Sequence, residues 1–331
     1  MTSTNRFLST IKKAQKIVIS THIHPDADGI GSEIALAFAL TELGKDVICV
    51  NEEKLLQRYK YLDPEDLVIS HDEYAQNRNL DKKIDLFIVV DTNSLKRIGE
   101  KSSKIAESAQ DLLFIDHHPC SENLESKNCI DTTKAATGEL VGQLIESLGI
   151  KLNEKIALAL YTSILIDTSS FRYPTVSADT HRMIGKLMDS GVKPPHAYNQ
   201  IYGTKPLSYL RALGRILHSV ESTEDERVAW LAFRESDLEK FNVDSEDTHG
   251  FINHLLILDK TQVACMFRQI NGSVKLSLRA VDQNVDVGII AEKLGGGGHQ
   301  HSAATIFQGD MQKVIEQTVP KIEKSLNSQN P

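Results

Sequence analysis

The stretch that decides the fold is KIVISTHIHPDADGIGSEIALAFALTELGK, residues 16–45. Its opening residues, 16–21, form a short β-branched run that predicts a strand, and residues 31–43 carry apolar side chains at helical spacing. Gly44 is suited to close that helix, because glycine readily adopts the left-handed conformation found after helix ends. Glu33 is interpreted as a residue of the first helical turn with no chemical role. The stretch therefore predicts a strand, a loop rich in His and Asp, and a helix.

The same alternation continues along the first part of the chain. Continuous apolar runs at 85–90 (DLFIVV) and 111–115 (DLLFI) are typical of parallel strands buried on both faces. Residues 46–50 are strand-like, and helical spacing follows at 138–148 and 154–166. Strands that alternate with helices predict an α/β domain with a doubly wound, mainly parallel sheet.

A chain of 331 residues, 40% of them hydrophobic, is long enough for two domains. Adjacent prolines and scattered Gly and polar residues after position 190 indicate a linker. We predict a first domain at 1–195, a linker at 196–210 and a second domain at 211–331. Three strand-like runs, an Asn271-Gly272 hairpin signal and a terminal helix predict that the second domain is a smaller α/β domain across a cleft.

The bulk composition narrows the class of protein. The net charge of −8 argues against a long nucleic-acid duplex as partner, because duplex binding needs many Lys and Arg contacts to phosphate. None of the four cysteines forms a CxxC pattern, so no disulfide framework is expected. The sequence shows no signal-peptide core and no apolar run of about 18 residues, so we expect a cytoplasmic protein without a membrane partner.

Histidines and aspartates are concentrated where the apolar runs end. They are His22, His24, Asp26 and Asp28, then Asp91, then Asp116, His117 and His118, and finally Asp167. Loops that follow different parallel strands converge on one crevice. Carboxylate and imidazole ligands suit divalent cations, and imidazole favours Mn²⁺ or a heavier metal over Mg²⁺. Two such ions about 3.5–4 Å apart would bind both sides of a phosphoryl transfer.

Structural roles are the competing interpretation. Asp91 and Asp167 are each followed by Thr and would pass as helix caps if they stood alone. His24 is interpreted as a loop histidine and not a ligand. Arg97 and Arg172 lie near the clustered residues and could meet phosphate, although a solvated surface position is the interpretation we favour. Four clusters at the ends of apolar runs favour a metal centre over isolated caps.

Six ordered motifs resemble the DHH phosphoesterase superfamily. HIHPDADGIGS, VVDT, FIDHHP and LIDTSSF resemble its four metal-domain motifs, and LRA at 278–280 and GGGGH at 295–299 resemble the associated DHHA1 substrate domain. The resemblance runs from about residue 16 to 310 and, within the superfamily, is to the nanoRNase/pAp phosphatase group. Ser169 and Ala304 depart from it, since many relatives carry Gly at both positions.

The resemblance implies two divalent cations, with Mn²⁺ expected and Mg²⁺ or Co²⁺ as alternatives. The implied metal ligands are His22 and Asp26 for one ion, Asp28, His117 and Asp167 for the other, and Asp91 as the bridge. The implied substrate contacts are His118 and, in the second domain, Arg279, Gly297, Gly298 and His299. Asp91, His118 and Asp116 are the implied catalytic residues, with Asp116 orienting a neighbouring histidine.

The implied activity is hydrolysis of short oligoribonucleotides, of adenosine 3′,5′-bisphosphate (pAp), or of both, by a hydroxide formed from water between the two ions. A linear or cyclic dinucleotide phosphodiesterase is the alternative within the same class. A non-catalytic nucleotide-binding regulator is the alternative from another class, and the intact ligand set argues against it. Substrates would be short RNA or nucleotides, and a homodimer is compatible with the sequence.

Overall fold

The computed structural model describes residues 3–76, 83–125, 128–203, 205–243, 245–270, 272–282, 284–298 and 300–329. The chain divides into two compact units, Met1–Gly203 and Thr204–Pro331. Each unit carries its own sheet with helices, so the α/β class predicted from the sequence is confirmed.

The first unit contains a six-stranded parallel sheet. Its strands are β1 (Lys16–Ser20), β2 (Asp46–Asn51), β3 (Val68–Ser70), β4 (Leu86–Val90), β5 (Asp111–Asp116) and β6 (Cys129–Ile130). The strand order is β3-β2-β1-β4-β5-β6, and neighbouring strands pair in parallel among the described residues. Every residue of β1 and β4 is buried, as the apolar runs predicted. The order reverses between β1 and β4, and a crevice forms beyond the carboxyl ends of strands at such a switch point.

Helices cover this sheet. They are α1 (Ser3–Lys13), α2 (Ala27–Glu42), α3 (His71–Gln76), α4 (Glu100–Ser108), α5 (Glu122–Glu125), α6 (Thr137–Ser147), α7 (Glu154–Asp167), α8 (Ala178–Asp189) and α9 (Pro194–Tyr202). Helix α2 packs directly on α7: a Cβ atom on Gly31 would lie 2.5 Å from the carbonyl oxygen of Ala159. Glycine at position 31 therefore allows the close approach of two helices that both lead to the crevice.

One element boundary differs from the prediction. Helix α2 begins at Ala27 and not at 31, because the Asp26 side chain caps it. The helical spacing at 154–166 is confirmed by α7, and Asp167 is the last residue of that helix.

The segment predicted as a linker, 196–210, contains most of α9, and the division between the units falls after Gly203. Pro194 and Pro195 occupy the first positions of α9, where a missing backbone N–H costs nothing because no helical partner exists there. Adjacent prolines therefore start a helix here. The assigned domain limits stay a prediction.

The second unit contains a mixed sheet. Its strands are β7 (Glu221–Ser222), β8 (Val228–Phe233), β9 (Val263–Ile270), β10 (Ser273–Ala280), β11 (Gly297–Gly298) and β12 (Ser302–Gln308), in the order β11-β12-β10-β9-β8-β7. Its helices are α10 (Leu207–Leu217), α11 (Glu235–Glu239), α12 (Val287–Lys293) and α13 (Met311–Gln329). Ile270 lies opposite Ser273, so a two-residue connection joins β9 and β10. Gly272 in that connection has a φ of 78°, and Asn271 lies outside the described residues.

Three 3-10 segments complete the described elements, at Gln57–Leu62, Leu95–Ile98 and Ser245–Ile257. Among the described residues, no helix combines the length and the apolar character needed to cross a bilayer.

Candidate metal centre

The carboxyl ends of three neighbouring strands supply most of the clustered residues. His22 follows β1 by two residues, Asp91 follows β4 directly, and His117 follows β5 directly. Helix α2 supplies Asp28 from its first turn, and α7 supplies Asp167 from its last residue. The sheet order thus brings together segments that are far apart in the sequence.

The described residues form three groups of side chains that could each hold a metal ion; one is Asp91, His117 and His118, and it overlaps the other two, which share no member. The His22 group is His22, Asp26 and Asp91, and the His117 group is Asp28, His117 and Asp167; in each group the ligand atoms lie within 4.8 Å of one another. Asp91 faces both groups, since its Oδ2 lies 3.4 Å from His22 Nε2 and its Oδ1 lies 3.8 Å from His117 Nε2. All six residues that the resemblance implied as ligands are brought together, with Asp91 between the two groups.

The ring orientation of both histidines fits metal ligation. The Nδ1 atom of His22 lies 2.9 Å from the carbonyl oxygen of Ile23, and that of His117 lies 3.2 Å from the carbonyl oxygen of Lys134. A carbonyl only accepts, so Nδ1 carries a hydrogen in both rings. Both Nε2 atoms are buried and have no hydrogen-bond partner among the described residues. A metal ion would satisfy these two orphaned nitrogens, as happens when a carbonyl fixes the tautomer of a histidine ligand.

Too many carboxylates face one another here for all to be ionised without a cation. Burial and the Asp28 carboxylate raise the pKa of Asp91 well above its usual range, and the same two causes raise the pKa of Asp167. Burial lowers the pKa of His22, but the Asp91 carboxylate 3.4 Å from its Nε2 and the charge of Asp26 outweigh burial and raise the value to about 9. Asp167 also ends a helix, where the dipole adds negative charge. Divalent cations would neutralise this excess.

Asp28 is held mainly by groups that lie outside the sequence motifs. Its carboxylate accepts hydrogen bonds from the backbone N–H groups of Thr137 (2.8 Å) and Gly138 (3.1 Å) at the start of α6. The hydroxyls of Ser32 and Ser163 also donate to it. A Cβ on Gly138 would lie 2.0 Å from Ser163 Oγ, so glycine is needed for this arrangement. The one available signal was that helix N-termini attract anions.

Asp26 serves the fold as well as the site. It caps α2 by accepting from the backbone N–H groups of Asp28 and Gly29, and its Oδ1 lies 4.0 Å from His22 Nε2. Neither of the two residues that might have been caps has that role: Asp167 ends a helix, and the 3-10 turn after Asp91 is capped by Ser94. Their positions therefore favour metal ligation.

Asp116 fixes His118. Its Oδ1 lies 2.6 Å from His118 Nδ1, and its Oδ2 accepts from Asn93 Nδ2 at 2.7 Å. His118 Nδ1 also lies 3.8 Å from Asp91 Oδ1, but a nitrogen that donates to Asp116 has no lone pair to offer a metal. Burial lowers the pKa of His118 and outweighs the Asp116 charge, so its ring is neutral at neutral pH. His118 is thus oriented by Asp116, as the resemblance implied.

Two nearby residues were interpreted as lying outside the ligand set. His24 is one: its side chain is 78% exposed and pairs with Glu53 at 3.2 Å. Arg97 is the other: its carbonyl oxygen accepts from the Ile23 N–H at 2.7 Å, and its side chain is half-buried. Among the described residues, the Arg97 guanidinium has no hydrogen bond or ion pair, although its charge contributes to the lowered pKa of His118. The positively charged Arg97 side chain therefore lies near the site without an ion pair among the described residues.

Arg172 is exposed, as expected for a surface arginine, and it also bonds to the turn that precedes it. Its Nε donates to the Ser169 carbonyl oxygen and its Nη2 to the Ser169 hydroxyl, both at 2.9 Å. Ser169, Ser170 and Phe171 all have positive φ, between 48° and 65°. Non-glycine residues adopt this left-handed conformation at a cost, and such strain is commonly retained beside functional sites. Arg172 thus holds the turn that immediately follows Asp167 and Thr168.

Three candidate substrate residues of the second unit lie on its sheet. Arg279 is on β10, and its Nη1 donates to the Leu278 carbonyl oxygen at 3.0 Å. Gly297 and Gly298 form β11, where a Cβ on Gly298 would lie 2.4 Å from the Ala303 Cα. Close packing on β12 thus requires glycine there. His299 lies outside the described residues.

Comparison with known proteins supports both units. The family model described as "DHH family, N-terminal domain" matches residues 16–164, and the "DHHA1 domain" model matches residues 225–328. "Bifunctional oligoribonuclease and PAP phosphatase NrnA" of Thermus thermophilus is 26% identical over 97% of this chain and 94% of its own length. The Bacillus subtilis protein with the same name is 26% identical over 92% of this chain and 93% of its own length.

A crystal structure titled as an exopolyphosphatase-related protein from Bacteroides fragilis matches 99% of this chain and 98% of that chain, with a TM-score of 0.90 and 26% identity. The matched DHH segment contains His22, Asp26, Asp28, Asp91 and His117. These findings agree with the sheet order and the metal-binding groups. The chain therefore belongs to the DHH family, with a DHH domain followed by a DHHA1 domain, and is a hydrolase that acts on phosphoester bonds.

Proposed function

We propose that this protein hydrolyses short oligoribonucleotides, pAp, or both, with two divalent cations, Mn²⁺ foremost, in the His22 and His117 groups. The observation that carries the proposal is Asp91, whose two oxygens face one histidine of each group. The near full-length relatives named as oligoribonuclease and PAP phosphatase support the substrate class. A cytoplasmic location and a homodimer stay predictions.

The residues of this chain have separable tasks in such a reaction. The bound ions would lower the pKa of a water molecule to near neutrality and neutralise charge on the phosphate. His22, Asp26, Asp28, Asp91, His117 and Asp167 would hold the ions. The His118 ring, oriented by Asp116 through Nδ1, would face the reacting phosphate with Nε2, which would donate a hydrogen bond to a non-bridging oxygen only when the ring is protonated.

Arg97 is proposed as a further contact to the reacting phosphate. Its backbone is fastened to the loop after His22 by the Ile23–Arg97 hydrogen bond, and Asn93, on the same loop, is bonded to Asp116. The loop is therefore tied to both strand ends that carry the site. A half-buried guanidinium that has no carboxylate partner among the described residues suits a phosphate oxygen, which it can bind in a bidentate manner.

The second unit is proposed to bind the part of the substrate away from the scissile bond. Arg279, Gly297, Gly298 and His299 are the proposed residues, on the resemblance to the DHHA1 motifs. The net charge of −8 supports short substrates, because a long strand needs a track of basic residues.

A substrate panel tests the proposed function. With purified protein and Mn²⁺, we expect turnover of pAp or of RNAs of about 2 to 5 nucleotides, and little turnover of 24-nucleotide RNA, since affinity along a strand needs repeated phosphate contacts. Cyclic dinucleotides and pyrophosphate belong in the same panel. Turnover of cyclic dinucleotides alone would contradict the proposal and favour the dinucleotide phosphodiesterase alternative. No turnover of any of them would favour a non-catalytic regulator.

Two arginine variants should distinguish contacts to the reacting phosphate from contacts to the rest of the substrate. Arg97→Ala is expected to lower kcat/KM about 10- to 100-fold for dinucleotides and for a bis-aryl phosphate alike, because a charged hydrogen bond of about 1.5–3 kcal/mol is lost at the reacting phosphate. Arg279→Lys is expected to lower kcat/KM for dinucleotides only. Steady-state kinetics with both substrates measures this, and Lys96→Ala on the same 3-10 turn is the control. An equal loss for both substrates in Arg279→Lys would show that this division is wrong.

A further inference from the structure

Glu33 is a carboxyl group in the core of the first unit. It lies on α2 and its exposed fraction is 0%. The expectation that it is an ordinary residue of the first helical turn was wrong, because α2 begins at Ala27 and turns Glu33 inward towards β2. Its Oε1 accepts a hydrogen bond from Asn51 Nδ2 at 2.7 Å. Its Oε2 is buried and has no hydrogen-bond partner among the described residues.

Asn51 connects Glu33 to the end of β1, the strand that precedes His22. Asn51 is the last residue of β2, and its Oδ1 accepts from the backbone N–H of Thr21 at 3.1 Å and from Ser20 Oγ at 3.3 Å. The register of β1 on β2 runs to Ile19 opposite Cys49. Just beyond that register, the Asn51 amide supplies the acceptor that fixes the chain where it leaves the sheet.

The hydrogen bonds from Glu33 through Asn51 to Thr21, called the link below, end next to the proposed metal ligand His22. Thr21 directly precedes His22, and Thr21, Asn51 and Glu33 are each no more than 3% exposed. A Cβ on Gly29 would lie 2.2 Å from Thr21 Oγ1, so Thr21 is also closed in by the first turn of α2, which carries Asp28. Because the backbone N–H and the side chain of Thr21 are both fixed, the adjacent His22 has little freedom to turn away from Asp91.

A carboxylic acid suits this position because it is neutral there. Burial raises the pKa of Glu33 well above its usual range, and the nearby Asp63 carboxylate raises it further. A neutral acid accepts the Asn51 hydrogen bond without adding charge to a cluster already rich in carboxylates. An apolar side chain would fill the same space at lower desolvation cost but would leave the Asn51 N–H without an acceptor.

We propose that Glu33 is a positioning residue of the His22 group, which acts through Asn51 to fix the end of β1 and thereby the direction of His22 Nε2. The proposal rests on the proposed role of His22 as a metal ligand. Glu33 touches neither substrate nor metal, so its removal should be felt as weaker metal binding at one group and not at both.

Mn²⁺ titration of metal-free protein, without substrate, tests the proposal. We expect Glu33→Leu to weaken one of two Mn²⁺ binding steps about 10- to 100-fold, the usual effect of losing a partner behind a metal ligand. Glu33→Gln should restore the affinity to within about threefold, because a neutral amide oxygen replaces a neutral acid. Leu40→Ala is the control: Leu40 is a fully buried residue of α2, so the variant lowers stability without touching the link.

A second variant protects the test against misfolding. Asn51→Ala breaks the same link from its other end, so its effect should equal that of Glu33→Leu and should not add to it in the double variant. Wild-type affinity in both variants, or an equal loss in Leu40→Ala, would overturn the inference while leaving the proposed function intact. Failure of the wild-type protein to bind Mn²⁺ would overturn the proposed function and this inference with it.

Discussion

Asp91→Asn is expected to abolish hydrolysis while leaving the fold intact. Among the described carboxylates, Asp91 has one oxygen facing His22 and the other facing His117, and an amide would not hold two cations in its place. We expect kcat/KM to fall by more than about 1,000-fold, since a metal pair contributes several kcal/mol to the transition state. Asparagine is preferred to alanine because Asp91 has a φ of 61°, which Asn tolerates and Ala does not.

The stability of the same variant separates a lost ligand from a damaged fold. Burial and Asp28 raise the pKa of Asp91, so at neutral pH its ionised form destabilises the metal-free native state. Metal-free Asp91→Asn should therefore unfold at the same temperature as metal-free wild type or higher. Asp66→Asn is the matched control, since Asp66 also has a positive φ of 52° but its side chain is 83% exposed. Near-normal activity of Asp91→Asn would show that the bridge is misassigned.

Removal of the metal ions is expected to abolish hydrolysis as completely as Asp91→Asn does. Chelation should eliminate activity, and added Mn²⁺ should restore it with about two ions bound per chain. His22→Ala and Asp167→Ala should each leave about one ion, because each removes a ligand from a different group. Metal analysis of dialysed protein measures this, and thermal unfolding with Mn²⁺ at about 100 times the Kd of a site should show about 2.7 kcal/mol of added stability for each occupied site.

His24 provides the control for the metal experiments. It is two residues from His22, but its side chain is exposed and paired with Glu53, so His24→Ala should keep both ions and full activity. A protein that binds one ion or none at saturating Mn²⁺ would contradict the two-metal proposal. Loss of both ions in each single-ligand variant would show instead that the groups bind cooperatively as one site.

The residues at the strand ends of the first unit were predictable because the local sequence pattern identifies them. A run such as DLFIVV is buried on both faces, and a polar residue placed directly after it must lie at the crevice edge. That reasoning located His22, Asp91 and His117. Asp167 joins the same cluster from the end of α7, the helix that the spacing at 154–166 predicted.

The supporting contacts were not predictable because they depend on tertiary packing. Ser163 and Gly138 meet Asp28 only once α6 and α7 have packed together, and neither belongs to a local pattern. Glu33 is polar at a position that the chain buries completely, which contradicts ordinary expectation for a glutamate. The left-handed turn at Ser169 carries no glycine to signal it. Sites thus resist prediction where function overrides local preference.

The spacing of the ligands along the chain bears on the order in which the protein folds. His22 and Asp26 are one helical turn apart in sequence, so an unfolded chain can already offer both to an ion. The His117 group spans the segment from Asp28 to Asp167, about twice the length between His22 and Asp91. Closing the longer loop costs only about 0.6 kcal/mol more, but it requires that α7 has docked on α2. A cation held by His22 and Asp26 would thus be able to bind while the chain collapses. A cation in the His117 group would bind only once the chain is nearly native.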